Sequence, residues 1–189
     1  MSTLLSLDAT LSFAIYQATV DSPVARWLTP LLGVYLVYLL PLILVWLWLI
    51  GHKKPALHAL FVGLVSWRGI AKLVAYLLPR ARPSQNLIGV QELVFHRPDA
   101  SFPSDHLTFM VSVAVALYLA RETRPAWLIL ALAALTAISR VALGVHYVGD
   151  VLVGARLGAV MALIFERLRP WLDKWLYQPI TQSLRRWGL

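Results

Sequence analysis

The sequence predicts an all-α membrane protein, a polytopic helical bundle of about five transmembrane helices with a further N-terminal helix at the bilayer surface. Apolar residues make up 59% of the 189 residues and charged residues only 14%, whereas a soluble domain has about 25% charged residues. Apolar runs approaching the ~20 residues that a membrane span needs recur along the chain. The length fits one integral membrane domain over residues 1–189.

Charge and cysteine content exclude several classes of function. The net charge of +8 would suggest nucleic acid as a partner for a soluble protein. In a membrane protein, basic loops that face anionic lipid explain the charge, so we expect membrane lipids and no nucleic acid as partners. The sequence contains no cysteine, which excludes disulfides, thiolate catalysis and cysteine metal sites. The oligomeric state stays open.

The predicted elements follow in chain order. Residues 1–25 are interpreted as an interfacial segment, because residues 4–20 are apolar but include Asp8; a sixth span is the alternative. The second span should end at Pro79, since proline cannot continue a helix. Gly154 and Gly158, four apart, predict close helix packing inside the bundle. The five predicted spans are residues 27–50, 55–78, 107–120, 126–143 and 148–165.

The distribution of basic residues orients the bundle. Cytoplasmic loops are enriched in Lys and Arg, so the side with nine basic residues is predicted to be cytoplasmic, including a basic tail over residues 166–189. The polar loop over residues 80–105 then lies outside. The nine are Lys53, Lys54, Arg121, Arg124, Arg167, Arg169, Lys174, Arg185 and Arg186. The other side has five basic residues: Arg26, Arg80, Arg82, Arg97 and Arg140.

Three polar islands interrupt the apolar chain, and all are predicted on the outer side. Polar groups near hydrocarbon are costly, so they indicate function. The remaining histidines, His52, His58 and His96, are interpreted as structural or solvated, and Asp99 as a solvated partner of Arg97. The first island is Lys72, Arg80 and Arg82; the second is Ser104, Asp105 and His106; the third is Arg140, His146 and Asp150.

These residue types fit phosphoryl transfer through a phosphohistidine. His146 and Asp150 are four apart and would share a face of one helix, where the carboxylate orients the imidazole for nucleophilic attack. Arg140 is suited to phosphate oxygens. Ser104 can cap a helix start that attracts anions, and His106 beside it could be the general acid. No carboxylate cluster suggests magnesium and no histidine spacing suggests zinc, so no metal and no cofactor are expected.

The motif order resembles the type 2 phosphatidic acid phosphatase superfamily, over about residues 67–158. Pro-Ser-Asp-His, with Asp105 in third place, is similar to the bacterial undecaprenyl-diphosphatase branch associated with bacitracin resistance. The resemblance implies His146 as nucleophile, His106 as proton donor to the leaving group, and Asp150 as the residue that orients His146. It also implies a phosphate site formed by Lys72, Arg82, Ser104 and Arg140. Arg80 and Asp105 are assigned to the same site, and the role of Asp105 stays open.

One position departs from the family pattern. The family lysine of the first motif falls on Ala75, and Lys72 lies one turn earlier. A long lysine could reach along the helix, or Arg80 could take its role.

The function expected from this resemblance is hydrolysis of undecaprenyl diphosphate to undecaprenyl phosphate and phosphate, which recycles the cell-wall lipid carrier. The site would face the periplasm from the bacterial inner membrane. Alternatives are a phosphatase or phosphotransferase for another lipid phosphate (phosphatidylglycerophosphate, phosphatidate or lipid A), or a non-catalytic lipid-phosphate binding or transport protein.

Overall fold

The fold is a helical bundle, described by a computed structural model for residues 3–94 and 99–186. No strand occurs among these residues. The last two helices are joined by a π-helical turn, Asp173–Tyr177. The helices are α1 (Thr3–Val20), α2 (Pro23–Leu49), α3 (Lys53–Leu77), α4 (Pro83–Asn86), α5 (Asp105–Leu119), α6 (Thr123–Ala142), α7 (Val148–Leu172) and α8 (Gln178–Arg186).

Four segments are long and apolar enough to cross a bilayer: α2, α3, α6 and the continuous stretch Val148–Leu184. The predicted membrane helical bundle is confirmed. The third predicted span corresponds to α5, which has 15 residues. It is therefore about 22 Å long at ~1.5 Å per residue, shorter than the ~30 Å hydrocarbon core. The first span begins earlier than predicted, at Pro23, because Ser22 caps it by accepting a hydrogen bond from the Ala25 N–H at 3.3 Å.

Helix α5 forms the centre of the bundle. It packs against α3, α6 and α7. Met110, Val113, Ala114 and Leu117 on α5 are fully buried, as is Ile129 on α6. Large apolar side chains elsewhere are exposed, as expected where lipid covers the surface. Because α5 is short and central, its N-terminal turn, which begins at Asp105, lies inside the protein.

Two glycines let α7 approach α5 closely. A Cβ added at Gly154 would lie 2.6 Å from the carbonyl oxygen of Ser104, and one at Gly158 would lie 2.5 Å from that of Thr108. Both distances are too short for real contacts. The predicted role of this glycine pair in packing within the bundle is confirmed.

Helix α1 lies against the end of the bundle through a line of polar side chains. It contacts α2, α6 and α7. Asp8, Ser12 and Tyr16 are spaced four apart and so share one face. Their oxygens accept hydrogen bonds from three backbone N–H groups: Asp8 from Gly149 at 2.8 Å, Ser12 from Val148 at 3.0 Å and Tyr16 from Gln91 at 3.0 Å. The position of α1 at a bilayer surface stays a prediction.

The opposite end of the bundle holds the C-terminal segment. The predicted basic tail is helical through α8. His58 on α3 is buried and lies 2.9 Å from the Tyr177 hydroxyl, which fixes this segment against α3. His52 pairs with Glu122 at the same end. Both histidines make structural contacts, consistent with their interpretation from sequence.

Candidate active site

The three polar islands meet at one end of the bundle through backbone contacts. The Ser104 N–H donates to the Asp150 carbonyl at 3.1 Å, which joins the start of α5 to the start of α7. The Ser101 N–H donates to the Arg80 carbonyl at 2.8 Å. Arg82 Nη1 donates to the Val145 carbonyl at 2.5 Å. The islands therefore form one cluster, as the sequence predicts.

His146 lies at the centre of this cluster and is 2% exposed. Its Nδ1 is 2.7 Å from the Ser101 carbonyl oxygen. Because a carbonyl can only accept, Nδ1 carries the proton and Nε2 carries the lone pair. Nε2 lies 3.2 Å from Arg140 Nη2, so a guanidinium N–H can donate to it. The ring thus has a fixed tautomer, with its lone pair on Nε2.

The protein environment keeps His146 neutral. Burial, together with the positive charges of Arg140 and Arg82, lowers the pKa of His146 to about 4, although Asp150 opposes them. A neutral imidazole is the form that can attack an electrophile. The neutral form of His146 is therefore present throughout the neutral pH range.

Asp150 lies too far from His146 for a hydrogen bond. Its Oδ2 is 3.8 Å from His146 Nδ1. His146 lies in the turn before α7, not on one helix with Asp150, because the helix begins at Val148. Asp150 is fully buried and accepts from the Tyr147 N–H at 2.9 Å and from Arg80 Nη1 at 2.8 Å. The predicted single helix face is wrong, although the two groups remain adjacent.

Arg80 lies between two carboxylates. Its Nη2 donates to Asp8 Oδ2 at 2.7 Å and its Nη1 to Asp150. The guanidinium also lies over the Tyr147 ring, 3.7 Å from its centroid. Burial favours a lower pKa for Arg80, but attraction to Asp150 and the hydrogen bond to Asp8 outweigh it and raise the pKa. Its predicted contact with phosphate stays a prediction.

Lys72 reaches the start of α5, although it lies one turn away from the family position. Its Nζ is 2.5 Å from Asp105 Oδ2 and 3.4 Å from Asp99 Oδ2. Arg82, which is 2% exposed, donates to the Asp99 carboxylate and to the carbonyls of Asp99 and Ala100. Lys72 and Arg82 are therefore both held by Asp99. Asp99 is not the simple solvated loop residue that the sequence suggested.

The second island forms the first turn of α5. Ser104 is at the N-cap position, but its side chain makes no cap hydrogen bond. The predicted side-chain cap is therefore absent. Ser104 Oγ is buried and has no hydrogen-bond partner among the described residues. His106 is half-buried in the same turn. A buried hydroxyl of this kind could bind an anion that enters the cluster.

Several residues of the site were not predicted as functional. Asp8 joins the cluster from α1, and an acidic residue in an apolar N-terminal helix was its signal in the sequence. Ser101 contributes a backbone carbonyl, which no side-chain motif reveals. Asp99 lay beside a motif and was assigned to Arg97; Arg97 and His96 lie outside the described residues.

The cluster has a neighbouring cavity of about 390 Å³ beneath α1, lined by Leu5, Ala9, Arg80, Asn86, Leu87 and Tyr147. Among the residues that the structure describes, no group of three or more His, Asp or Glu side chains is arranged to hold a metal ion. Lys72, Arg80 and Arg82 are each paired with a carboxylate. The site therefore holds both signs of charge around the neutral imidazole of His146.

Comparison with known proteins places this arrangement in a family. The family model described as "PAP2 superfamily" matches residues 56–174. The chain is 33% identical to undecaprenyl-diphosphatase BcrC of Bacillus subtilis, with 80% of this chain and 82% of that protein covered. It is 30% identical to the putative undecaprenyl-diphosphatase YbjG of Escherichia coli, with 90% and 93% covered.

Solved structures show the same fold. The crystal structure of Aquifex aeolicus LpxE is 24% identical with a TM-score of 0.68, and covers 82% of this chain and 92% of that one. The PAP2 type phosphatidylglycerolphosphate phosphatase of Bacillus subtilis is 23% identical with a TM-score of 0.71, and covers 93% and 90%. At this identity the likeness concerns the fold.

Proposed function

The chain belongs to the PAP2 superfamily, and from this premise we propose that it hydrolyses undecaprenyl diphosphate to undecaprenyl phosphate and inorganic phosphate. Support for this substrate comes from the two relatives named as undecaprenyl-diphosphatases, one of them putative, which match over most of their length. Support for the chemistry comes from His146. Its Nδ1 bond to Ser101 and the approach of Arg140 to Nε2 prepare one ring nitrogen for attack.

The first step forms a phosphohistidine. His146 Nε2 attacks the terminal phosphorus of the diphosphate, and the bond from that phosphorus to the bridging oxygen breaks. His106 gives a proton to the departing oxygen of the lipid phosphate. The imidazolium character that develops on His146 is stabilised by the nearby Asp150 carboxylate.

The second step releases the phosphate. A water molecule attacks phosphorus, the bond to His146 Nε2 breaks, and His106 accepts the proton of the water. Inorganic phosphate leaves, and His146 returns to its neutral form. This sequence consumes one water and needs no metal ion or other cofactor.

The phosphate would be bound where cations and donors already converge. Arg140 can move its N–H from Nε2 to an equatorial oxygen, and Ser104 Oγ can donate to another. The carboxylates of Asp99 and Asp105 now occupy donors of Lys72 and Arg82. Substrate oxygens would compete with these carboxylates for the same donors. We therefore assign the partly exposed Lys72 to the outer part of the site and the buried Arg82, which donates to the Val145 carbonyl, to its inner part.

The proposed location is the periplasmic face of the bacterial inner membrane. Its support is the excess of basic residues at the end of the bundle that holds His52 and the C-terminal helix, opposite to the cluster. The lipid tail would remain in the bilayer beside the exposed apolar helices.

Phosphate release by the purified protein tests the proposal. The substrates are undecaprenyl diphosphate, phosphatidate, phosphatidylglycerophosphate and a lipid A phosphate, each in detergent with a chelator. We expect the diphosphate to be hydrolysed fastest. A preference for a monophosphate would reject the substrate and retain the chemistry, and turnover that requires restored metal would reject the metal-free mechanism.

Two alternatives give distinct results in the same assay. A phosphotransferase would consume the lipid phosphate but pass the phosphate to an added alcohol acceptor rather than to water. A binding or transport protein would bind the lipid without any release. The fixed tautomer of His146 favours catalysis, because binding alone needs no oriented nucleophile.

A further inference from the structure

Helix α1 supplies hydrogen-bond acceptors for the first turn of α7, the helix that carries Asp150. The first N–H groups of a helix lack partners within that helix. Here the N–H groups of Val148 and Gly149, at the start of α7, donate to Ser12 and Asp8 of α1. The family match begins at residue 56, so α1 lies outside it. Helix α1, which lies outside the matched residues, thus contacts the start of α7 at the site.

The Asp8 carboxylate has a second contact that leads to His146. Its Oδ1 accepts from Gly149, while its Oδ2 accepts from Arg80 at 2.7 Å. Arg80 then donates its other terminal nitrogen to Asp150 at 2.8 Å. Asp8, Arg80 and Asp150 therefore form a continuous chain of charges that ends beside the nucleophile.

This chain is poorly accessible to water. The side chain of Asp8 is 14% exposed, that of Arg80 23% and that of Asp150 0%. Tyr147 covers one side of the Arg80 guanidinium. Charge pairs with limited access to water are screened less than surface pairs. Loss of one charge should therefore change the position of the next group.

We infer that Asp8 is a positioning residue for the phosphatase reaction: it holds Arg80, and Arg80 holds Asp150 beside His146. Arg80 thereby serves the orientation of the nucleophile rather than the binding of phosphate. The inference rests on the proposed function and extends it to an element outside the family match. Asp150 accepts from the Tyr147 N–H, next to His146 in the chain, so a displacement of Asp150 would shift the turn that carries His146. Misplacements near 1 Å can lower rates by about 100-fold.

The direct test is Asp8→Asn, measured with the lipid phosphate that the unaltered protein hydrolyses fastest. Asparagine keeps an oxygen for the Gly149 N–H and removes the charge that attracts Arg80. We expect kcat to fall by roughly 10- to 100-fold with a KM within about 3-fold, because binding groups stay in place. Asp8→Glu should recover part of kcat. Asp21→Asn, at the end of α1, is the matched control and should keep full activity.

A second variant, Gly149→Ala, displaces the Asp8 carboxylate without substituting Asp8. A Cβ at Gly149 would lie 2.9 Å from Asp8 Oδ2, so Gly149→Ala should lower kcat in the same direction. Gly69→Ala is its control, since a Cβ there meets only an ordinary contact, 3.8 Å from Val65. This pair decides the question if Asp8→Asn does not fold.

A double-mutant cycle separates positioning from a purely structural role. If Asp8 acts through Arg80, Asp8→Asn should change kcat by less than about 2-fold in an Arg80→Gln background. A full loss in both backgrounds, or full activity of Asp8→Asn alone, would overturn the inference. Failure of the unaltered protein to release phosphate from any lipid would instead reject the proposed function.

Discussion

In the proposed mechanism, the bond from His146 to the Ser101 carbonyl decides which ring nitrogen attacks phosphorus. The Ser101 oxygen lies 2.7 Å from Nδ1 and keeps the ring proton on that nitrogen. The lone pair is then on Nε2, which faces Arg140. Asp150, at 3.8 Å, contributes charge rather than a direct hydrogen bond. At the scale of single residues, orientation is thus shared between a backbone carbonyl and a carboxylate.

His146→Ala should remove nearly all phosphate release and leave the fold intact, since it deletes the nucleophile. His106→Ala should lower kcat by about 10²- to 10⁴-fold, the usual contribution of a general acid–base. The measurement is phosphate release, with thermal unfolding in the same detergent as the check on folding. His52→Ala, at the opposite end, is the control. A folded His146→Ala protein with substantial activity would reject the mechanism.

The acid behaviour of His146 follows from its burial. With a pKa of about 4, it should remain neutral as pH falls from 8 to 5.5, and the nucleophile should be lost only as pH falls through about 4. NMR of the ¹⁵N-labelled imidazoles, assigned by His146→Gln, measures this directly. The neutral Nδ1–H tautomer should persist over that range. A midpoint near the ordinary value of about 6.5 would contradict the account.

At the scale of elements, glycines of α7 let this helix pack directly against the backbone of α5. Gly158→Ala should destabilise the protein, because the new methyl group would lie 2.5 Å from the Thr108 carbonyl. Overpacking of this kind costs about 1–3 kcal/mol. Thermal unfolding in detergent should show a lower midpoint than for Gly69→Ala. Equal midpoints would mean that the two helices can separate without loss.

Helices and chemistry were predictable from the sequence to different extents. Long apolar runs predicted the spans, and the motifs predicted that Arg140, His146 and Asp150 lie together, since both signals are local in the chain. The catalytic roles of these residues stay predictions. The role of Asp8 depends on contacts with Arg80 and Gly149, which are 72 and 141 positions away. The role of Asp99 depends on Arg82 and Lys72, which are 17 and 27 positions away. Such contacts arise from tertiary packing, which periodicity does not encode.

At the scale of the whole molecule, the orientation of the bundle decides which compartment supplies the substrate head group. The sequence has no cysteine, so a single introduced cysteine reports one position. Ile88, in the loop after α4, is 99% exposed. Ile88→Cys should react with a membrane-impermeant maleimide in intact cells, while Lys54→Cys at the other end should react only after permeabilisation. The reverse pattern would reject the periplasmic site.

Trapping of the phosphoenzyme tests the central claim most directly. The protein is mixed with undecaprenyl diphosphate, quenched in base to preserve phosphohistidine, and digested with trypsin. The peptide of residues 141–156 contains one histidine, His146. We predict phosphate on this residue, accumulating further in His106→Ala if water attack becomes the slower step. Rapid turnover with no phosphate on His146 at any time of quenching would contradict the account.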